Sequence, residues 1–219
     1  MKTIVVIPAH NEATRIKEVL KAVKKIVKDV IVVDDGSQDN TASVAQEAKV
    51  IVLRHITNLG KGAALKTGCD YAIQKGAENI IVMDADGQHR AKDIPRFLNA
   101  LKSNDVVFGT RKGTKKMPVL LRIGNWGLNT ITRIFYGIKI HDTQCGFRAF
   151  TRDAYKKIRW EAQNYDMESE MIARAGKAKL KYAEIPIETI YLDKYKGTTV
   201  LDGIKIGLKL IAWRLQKWS

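Results

Sequence analysis

Two carboxylates separated by one residue, Asp84 and Asp86, close the apolar run of IIVMDADGQH, and Gly87 and the amide of Gln88 follow them. On an extended strand, residues two apart face the same way. The two charges then crowd together, at a cost in free energy, unless a cation or a proton lies between them. A divalent ion resolves the crowding. Hard oxygen ligands suit Mg2+ or Mn2+, and Mg2+ takes one or two carboxylates while substrate phosphates complete its shell. The plainer alternative is an Asp-rich turn in which Gly87 merely permits the backbone. A second pair, Asp34 and Asp35 in VVDDGSQDNT, also ends an apolar run, where short carboxylates can accept hydrogen bonds from a ribose or a base N–H. Asp39, Asn40 or Thr41 could cap the helix that follows without them. In NLGKGAALKTG, Gly60 and Gly62 flank Lys61 before a helical pattern, a phosphate-approach loop that lacks the Walker spacing.

These groups need a scaffold that brings them together. Short β-branched runs alternate with helix-period segments: TIVVIP, then Asn11 to Lys28, VIVVDD, then Thr41 to Ala48, VIVLRH, then Lys61 to Gln74, then IIVMDAD. The alternation predicts an α/β fold with a mostly parallel sheet. Continuous apolar strands fit helices on both faces of it. Each strand ends in polar residues: Pro8 to Glu12, Asp34 to Gln38, His55 to Gly62, and Asp84 to His89. In an open α/β sheet the carboxyl ends of the strands converge on one crevice, so the four loops should share a site.

Beyond DVVFGTR the pattern changes. Arg111 to Lys139 carries no acidic residue, and its centre reads as an amphipathic helix with Leu120, Leu121, Leu128, Ile131 and Phe135 on one face. The tail is basic again. In it Ile204, Leu208, Ile211, Leu215 and Trp218 form one helical stripe, as expected for packing against the sheet or for an interfacial helix on a membrane.

The 219 residues, 45% hydrophobic and 28% charged, suit a single domain, with 38 Lys and Arg against 23 Asp and Glu and a formal charge of +15. That charge implies an anionic partner: nucleic acid, nucleotide phosphates or anionic lipid. Cys69 and Cys145 have no partner spacing, which indicates neither a thiolate zinc site nor a disulfide framework and suits a reducing cytoplasm. The opening run is too short for a signal peptide, and no segment approaches the roughly 18 apolar residues of a membrane span. A cytoplasmic protein, soluble or peripheral on the membrane face and not integral, is therefore expected.

The segments PAHNE, VVDDGSQDNT, NLGKGAALKTG, MDADGQH, GTR, DTQCGFR and YDMESE follow one another in an order that resembles family 2 glycosyltransferases with the GT-A fold. The resemblance covers nearly the whole chain. It is closest to dolichyl- or polyprenyl-phosphate mannose and glucose synthases, which transfer one hexose from a nucleotide sugar to a polyprenyl phosphate. It implies a nucleotide-sugar half over 1–110, an acceptor half over 111–192 and a basic amphipathic helix over 193–219. It also implies that Pro8, Asn11, Glu12, Asp34, Asp35 and Lys61 serve the nucleotide, with Asp84 and Arg111 on its diphosphate. The metal would be held by Asp84, Asp86 and Gln88, with Asp86, Arg111 and Asp142 in the catalytic group and Arg122, Arg148 and Glu168 toward the acceptor. GDP-mannose and UDP-glucose both remain open as donors.

A cation beside the diphosphate has a clear task. Two unit charges about 4 Å apart interact by roughly 4 kcal/mol at an effective permittivity near 20, which is about three decades in rate. A sugar hydroxyl acceptor would need a base, for which Asp142 is the candidate. A phosphate monoester is already mostly dianionic at neutral pH and needs cations instead. The acid-free segment from Arg111 to Lys139 offers such cations beside an apolar face, which favours a lipid phosphate and a positioning role for Asp142. The basic surface should dock on an anionic membrane, with a separate membrane-protein partner as a further expectation. A nucleic-acid binder is disfavoured, because acidic groups gathered at strand ends would repel a phosphate backbone.

Overall fold

The structure, a computed structural model, describes residues 1–111, 119–164, 166–188 and 200–215. Its centre is a seven-stranded sheet of β1 (Thr3–Ala9), β2 (Asp29–Asp34), β3 (Ile51–Arg54), β4 (Asn79–Val82), β5 (Val106–Arg111), β6 (Arg148–Thr151) and β7 (Tyr182–Ile187). The strand order is β3-β2-β1-β4-β6-β5-β7. β6 runs antiparallel to both β4 and β5, and the other pairings are parallel. The α/β expectation holds, and the antiparallel insertion is what the sequence alone did not display.

Helices cover both faces, because β1, β2 and β4 are buried on both sides and leave no face for water. On one face α1 (Ala13–Lys24) buries Ile16, Val19, Leu20 and Val23, spaced by three and four residues, and ends in Lys21 and Lys24, which complement its dipole. Beside it lie α2 (Thr41–Glu47) and α4 (Ile94–Leu101), and Phe97 of α4 stacks on Phe147 at 4.2 Å. The helix predicted over Asn11 to Lys28 begins later, since Asn11 adopts φ 55° and belongs to the loop.

The opposite face carries α3 (Lys61–Gln74), α6 (Arg152–Ile158) and α7 (Met167–Lys177), packed on Ile4, Val6, Ile31, Val33, Ile80 and Val82. α3 matches its predicted bounds. Gly68 lets it lie close on the sheet, where a Cβ would overlap the side chains of Val6 and Val33.

A third, smaller core joins α5 (Val119–Tyr136), α7 and α8 (Val200–Leu215) through Leu128, Tyr136, Ala173, Ile206 and Leu210. The tail stripe differs from the expectation of packing on the sheet. α8 turns Ile206 and Leu210 inward, while Ile204 and Leu208 of the stripe are 58% and 64% exposed. α8 is apolar on more than one side, so periodicity alone could not select its inner face. Trp218 and the lysines of 112–116 and 194–196 lie outside the described residues. Among the described residues no helix is long and apolar enough to cross a membrane.

Candidate active site

The loops at the carboxyl ends of β1 to β4 are linked to one another in sequence. Asn11 N donates to Ser37 Oγ at 2.9 Å, Gln38 N to Asn11 Oδ1 at 2.9 Å and Glu12 N to Thr41 Oγ1 at 2.8 Å. Pro8 is buried inside β1, opposite Val33. Leu59 N and Gly60 N donate to Asp35 at 3.0 and 2.8 Å, and His55 Nδ1 lies 2.7 Å from the same carboxylate. Lys61 then reaches Asp84 beyond β4 at 2.7 Å. The four loops form one crevice, as the strand-end argument required.

Within it, several assignments change. Asp34 and Asp35 are each engaged by the protein, while Asp34 Oδ2 has no hydrogen-bond partner among the described residues. Asp34 accepts from Ser37 N at 3.1 Å and faces Arg54 Nε at 3.1 Å, and Asp35 is filled by the loop donors already given. Both are buried and set the loop shape. The phosphate-approach loop also differs from expectation, because Gly62 N and Ala63 N both donate to Gln163 O, at 2.6 and 3.2 Å. Trp160 Nε1 donates to Gly62 O at 2.8 Å, and a Cβ at Gly62 would strike the Ala162 carbonyl. With these backbone donors spent on the protein, the Lys61 ammonium is what the loop offers to an anion.

Asp84 and Asp86 sit on a turn just past β4, not on extended strand, and Gly87 at φ 75° closes it. They still influence each other. Burial, then the charge of Asp84, pushes the Asp86 carboxyl upward. Asp86 Oδ1 accepts from Gln88 N at 2.9 Å. For Asp84, burial favours the neutral acid, but Lys61 and then His89 outweigh it and hold the carboxyl far below the usual carboxylate range. His89 Nε2 stands 3.5 Å from Asp84 Oδ2, a second cationic neighbour if protonated.

Glu168 comes from the first turn of α7 and is 2% exposed, with Oε1 2.9 Å from Lys61 Nζ. Its neighbour Glu170 has a different task, accepting from Glu161 N, Ala162 N and Arg174 Nε at 2.7 to 3.1 Å. Neither is on a solvated face. Glu170 fastens the 161–163 strap, and that strap fastens the Lys61 loop.

Arg111, at the end of β5, grips Asp142 bidentately, with Nε at 2.6 Å from Oδ2 and Nη2 at 2.8 Å from Oδ1. Burial raises the Asp142 carboxyl, but the Arg111 hydrogen bonds and charge prevail and lower it. Such a group is a weak proton acceptor.

Arg148 is corrected outright. It is 1% exposed and donates to the carbonyls of Cys145, Glu168 and Thr143 at 2.9, 2.6 and 2.7 Å, with Phe108 stacked 5.2 Å from its guanidinium carbon. Arg148 ties β6 to α7 and cannot meet an acceptor. The side chain of Arg122 lies outside the described residues. Cys145 is buried, as a small core residue should be, and burial, followed by the Asp142 charge, pushes its thiol up to about 12.

Whether a divalent ion suits this place can be judged from the side chains. Asp84 and Glu168 already converge on one cation, the Lys61 ammonium. Glu168 Oε2 is buried without a hydrogen-bond partner among the described residues. Gly146 leaves the room that Asp84 occupies, since a Cβ there would collide with its carboxylate. Hard carboxylate oxygens suit Mg2+ or Mn2+, although among the described residues no three His, Cys, Asp or Glu side chains converge as a ready metal site.

A mostly parallel sheet with one antiparallel insertion, with acidic groups past its fourth strand and a lysine beside them, defines a GT-A glycosyltransferase domain. Residues 4–159 match the model of Glycosyl transferase family 2, and the chain belongs to that family. It is 35% identical to the UDP-N-acetylglucosamine–dolichyl-phosphate N-acetylglucosaminyltransferase of Methanococcus voltae, over 97% of this chain and 96% of that protein. It is 28% identical to the undecaprenyl-phosphate mannosyltransferase of Micrococcus luteus, over 100% and 94%. In fold it resembles glucosyl-3-phosphoglycerate synthase from Mycobacterium tuberculosis, solved with Mn2+ and UDP-glucose, with a TM-score of 0.73 at 20% identity over 96% of this chain and 77% of that one.

Proposed function

We propose that the protein transfers one sugar from a nucleotide-diphosphate donor to a polyprenyl phosphate at the cytoplasmic face of a membrane. The observation that carries this reading is the Arg111–Asp142 pair. With both carboxylate oxygens held by a guanidinium and its proton affinity lowered, Asp142 is poorly suited to deprotonate a sugar hydroxyl. A phosphate acceptor arrives already ionised and asks for no base.

Asp84 and Asp86, with Gln88 beside them, would hold Mg2+ or Mn2+. Such an ion, when bound, supplies charge against the departing diphosphate. Lys61 would share that load, and Arg111, held by Asp142, would meet phosphate oxygens. One oxygen of the acceptor phosphate forms the new bond to the anomeric carbon while the bond from that carbon to the donor diphosphate breaks. A single displacement of this kind inverts the configuration. The relatives named above take UDP-N-acetylglucosamine and, by its name, a mannosyl donor, so UDP-N-acetylglucosamine belongs in the donor panel beside UDP-glucose and GDP-mannose. Incubation of the full chain with undecaprenyl phosphate and each donor, with and without EDTA, tests the reading. Lipid-linked sugar from one donor, abolished by EDTA, is expected; transfer that survives EDTA, or no transfer to the lipid, overturns it.

Support for the membrane comes from the outward stripe of α8. Ile204, Leu208, Ile211 and Leu215 are exposed, as are Lys205 and Arg214 of the same helix and Trp126 and Ile134 of α5. Burying one such side chain is worth about 1.5–3 kcal/mol, and each basic residue near an anionic leaflet about 1 kcal/mol. The chain should therefore pellet with phosphatidylserine vesicles at moderate salt. Leu208→Glu with Ile211→Glu should weaken that binding about tenfold or more without lowering the melting temperature. A wild-type chain that stays in the supernatant removes the docking proposal.

A further inference from the structure

Lys61 occupies an unusual post. Its backbone is clamped from both sides, by Asp35 through Gly60 and by Gln163 through Gly62, so its side chain starts from a fixed point. Its ammonium then bridges Asp84 from the end of β4 and Glu168 from α7, at 2.7 and 2.9 Å. These groups come from two separate elements, and Asp84 is the one assigned above to a divalent ion. Burial works against the lysine's charge, and the two carboxylates more than compensate, holding its pKa above the ordinary range.

Resting on the metal-assisted reading, we propose that Lys61 is the resident counter-cation of these carboxylates and changes partners when the donor arrives. Its ammonium leaves Asp84 for the donor diphosphate, and Asp84 is thereby released toward the metal. The geometry suits a lysine for this task. Its flexible stem carries a compact charge that can swing between neighbouring anions, which a planar, bidentate guanidinium does not do as readily. While Lys61 sits on Asp84, a divalent ion meets a like charge at close quarters, so metal alone binds weakly. A diphosphate gives the ammonium an equivalent anionic partner, so metal and nucleotide strengthen each other's binding by the same factor. Lys61 is in this sense an ordering residue: it keeps the acidic cluster neutralised until the donor is present.

The test is Mn2+ binding to the full chain, followed by the electron paramagnetic resonance of free Mn2+, with and without UDP or GDP as diphosphate probes. For the wild type, either nucleotide should raise Mn2+ affinity about tenfold or more. Lys61→Met should bind Mn2+ alone about tenfold tighter than the wild type, with a smaller further gain from nucleotide than the wild type shows, since the diphosphate still ligates the ion directly. Lys61→Arg, which keeps the charge, should bind Mn2+ alone as weakly as the wild type. Lys61→Gln is the second neutral variant should the Met variant fail to fold, and thermal melts of each verify folding. Neutral variants that bind Mn2+ no tighter than the wild type, while nucleotide still strengthens wild-type binding, overturn the role of Lys61 and leave metal-assisted transfer standing. Absence of Mn2+ binding in every form, nucleotide present or not, removes both.

Discussion

Asp84→Asn is expected to lower sugar transfer about a thousandfold while the fold persists. The substitution keeps the shape of the side chain and removes the charge that would hold a divalent ion against the departing diphosphate. About 4 kcal/mol of charge stabilisation is at stake, which is about three decades of rate. Folding is affected far less. Lys61 retains Glu168 as a partner at 2.9 Å, and the strand that leads to the turn is untouched. Turnover at saturating donor and acceptor, read beside a thermal melt, checks the expectation. Activity within tenfold of the wild type in a normally folded variant would show that Asp84 carries no share of the metal's charge.

The second large effect concerns stability. Asp142→Ala removes the buried carboxylate that the Arg111 guanidinium grips through Nε and Nη2. Breaking a buried pair from one side typically costs about 3–5 kcal/mol. At roughly 2–4 °C per kcal/mol for a chain of this size, the melting temperature should fall by about 6 to 20 °C. The pH dependence follows from the direction of the shift. Asp142 has its carboxyl lowered in the folded state, so its stabilisation is complete above the ordinary carboxylate value of about 3.9 and is lost as pH falls through the folded value. The gap between wild type and variant should hold steady from about pH 5 to 8 and close below about pH 4. Asp142→Asn separates this from base catalysis. A thousands-fold loss of turnover with unchanged substrate binding would make Asp142 a base and favour a hydroxyl acceptor.

The scaffold was legible in the sequence because strands buried on both faces are written as unbroken apolar runs. The polar residues at their ends mark the crevice almost by exclusion. α3 even has its predicted ends, since Gly60 and Gly62 are demanded by close backbone contacts. Other features left no such trace. β6 is only Arg148–Thr151, and a strand of four residues that begins with arginine lacks the length and the alternation to announce itself. Arg148 was misread because sequence shows charge and not burial; three backbone carbonyls and a phenyl ring make its interior position tolerable, and none of them is visible before folding. Glu168 and Glu170 are two residues apart and chemically alike. Only the placement of α7 against the crevice sends one to Lys61 and the other to the 161–163 strap. The pairing of Lys61 with Asp84 joins residues that a helix and a strand separate in the chain, so spacing could not suggest it.

The antiparallel insertion also governs how the chain comes to be made. β4, whose end bears the acidic turn, pairs with β1 on one flank and with β6 on the other, where Val82 opposes Arg148. Translation supplies β6 about 66 residues after β4, which at roughly 5–20 residues per second leaves that flank bare for several seconds. During that interval the nascent polypeptide displays an apolar ladder of unpaired amides and carbonyls, the kind of surface that recruits foreign strands. Ribosomal pausing between the two strands should therefore raise the yield of aggregate, and faster elongation through the same stretch should lower it.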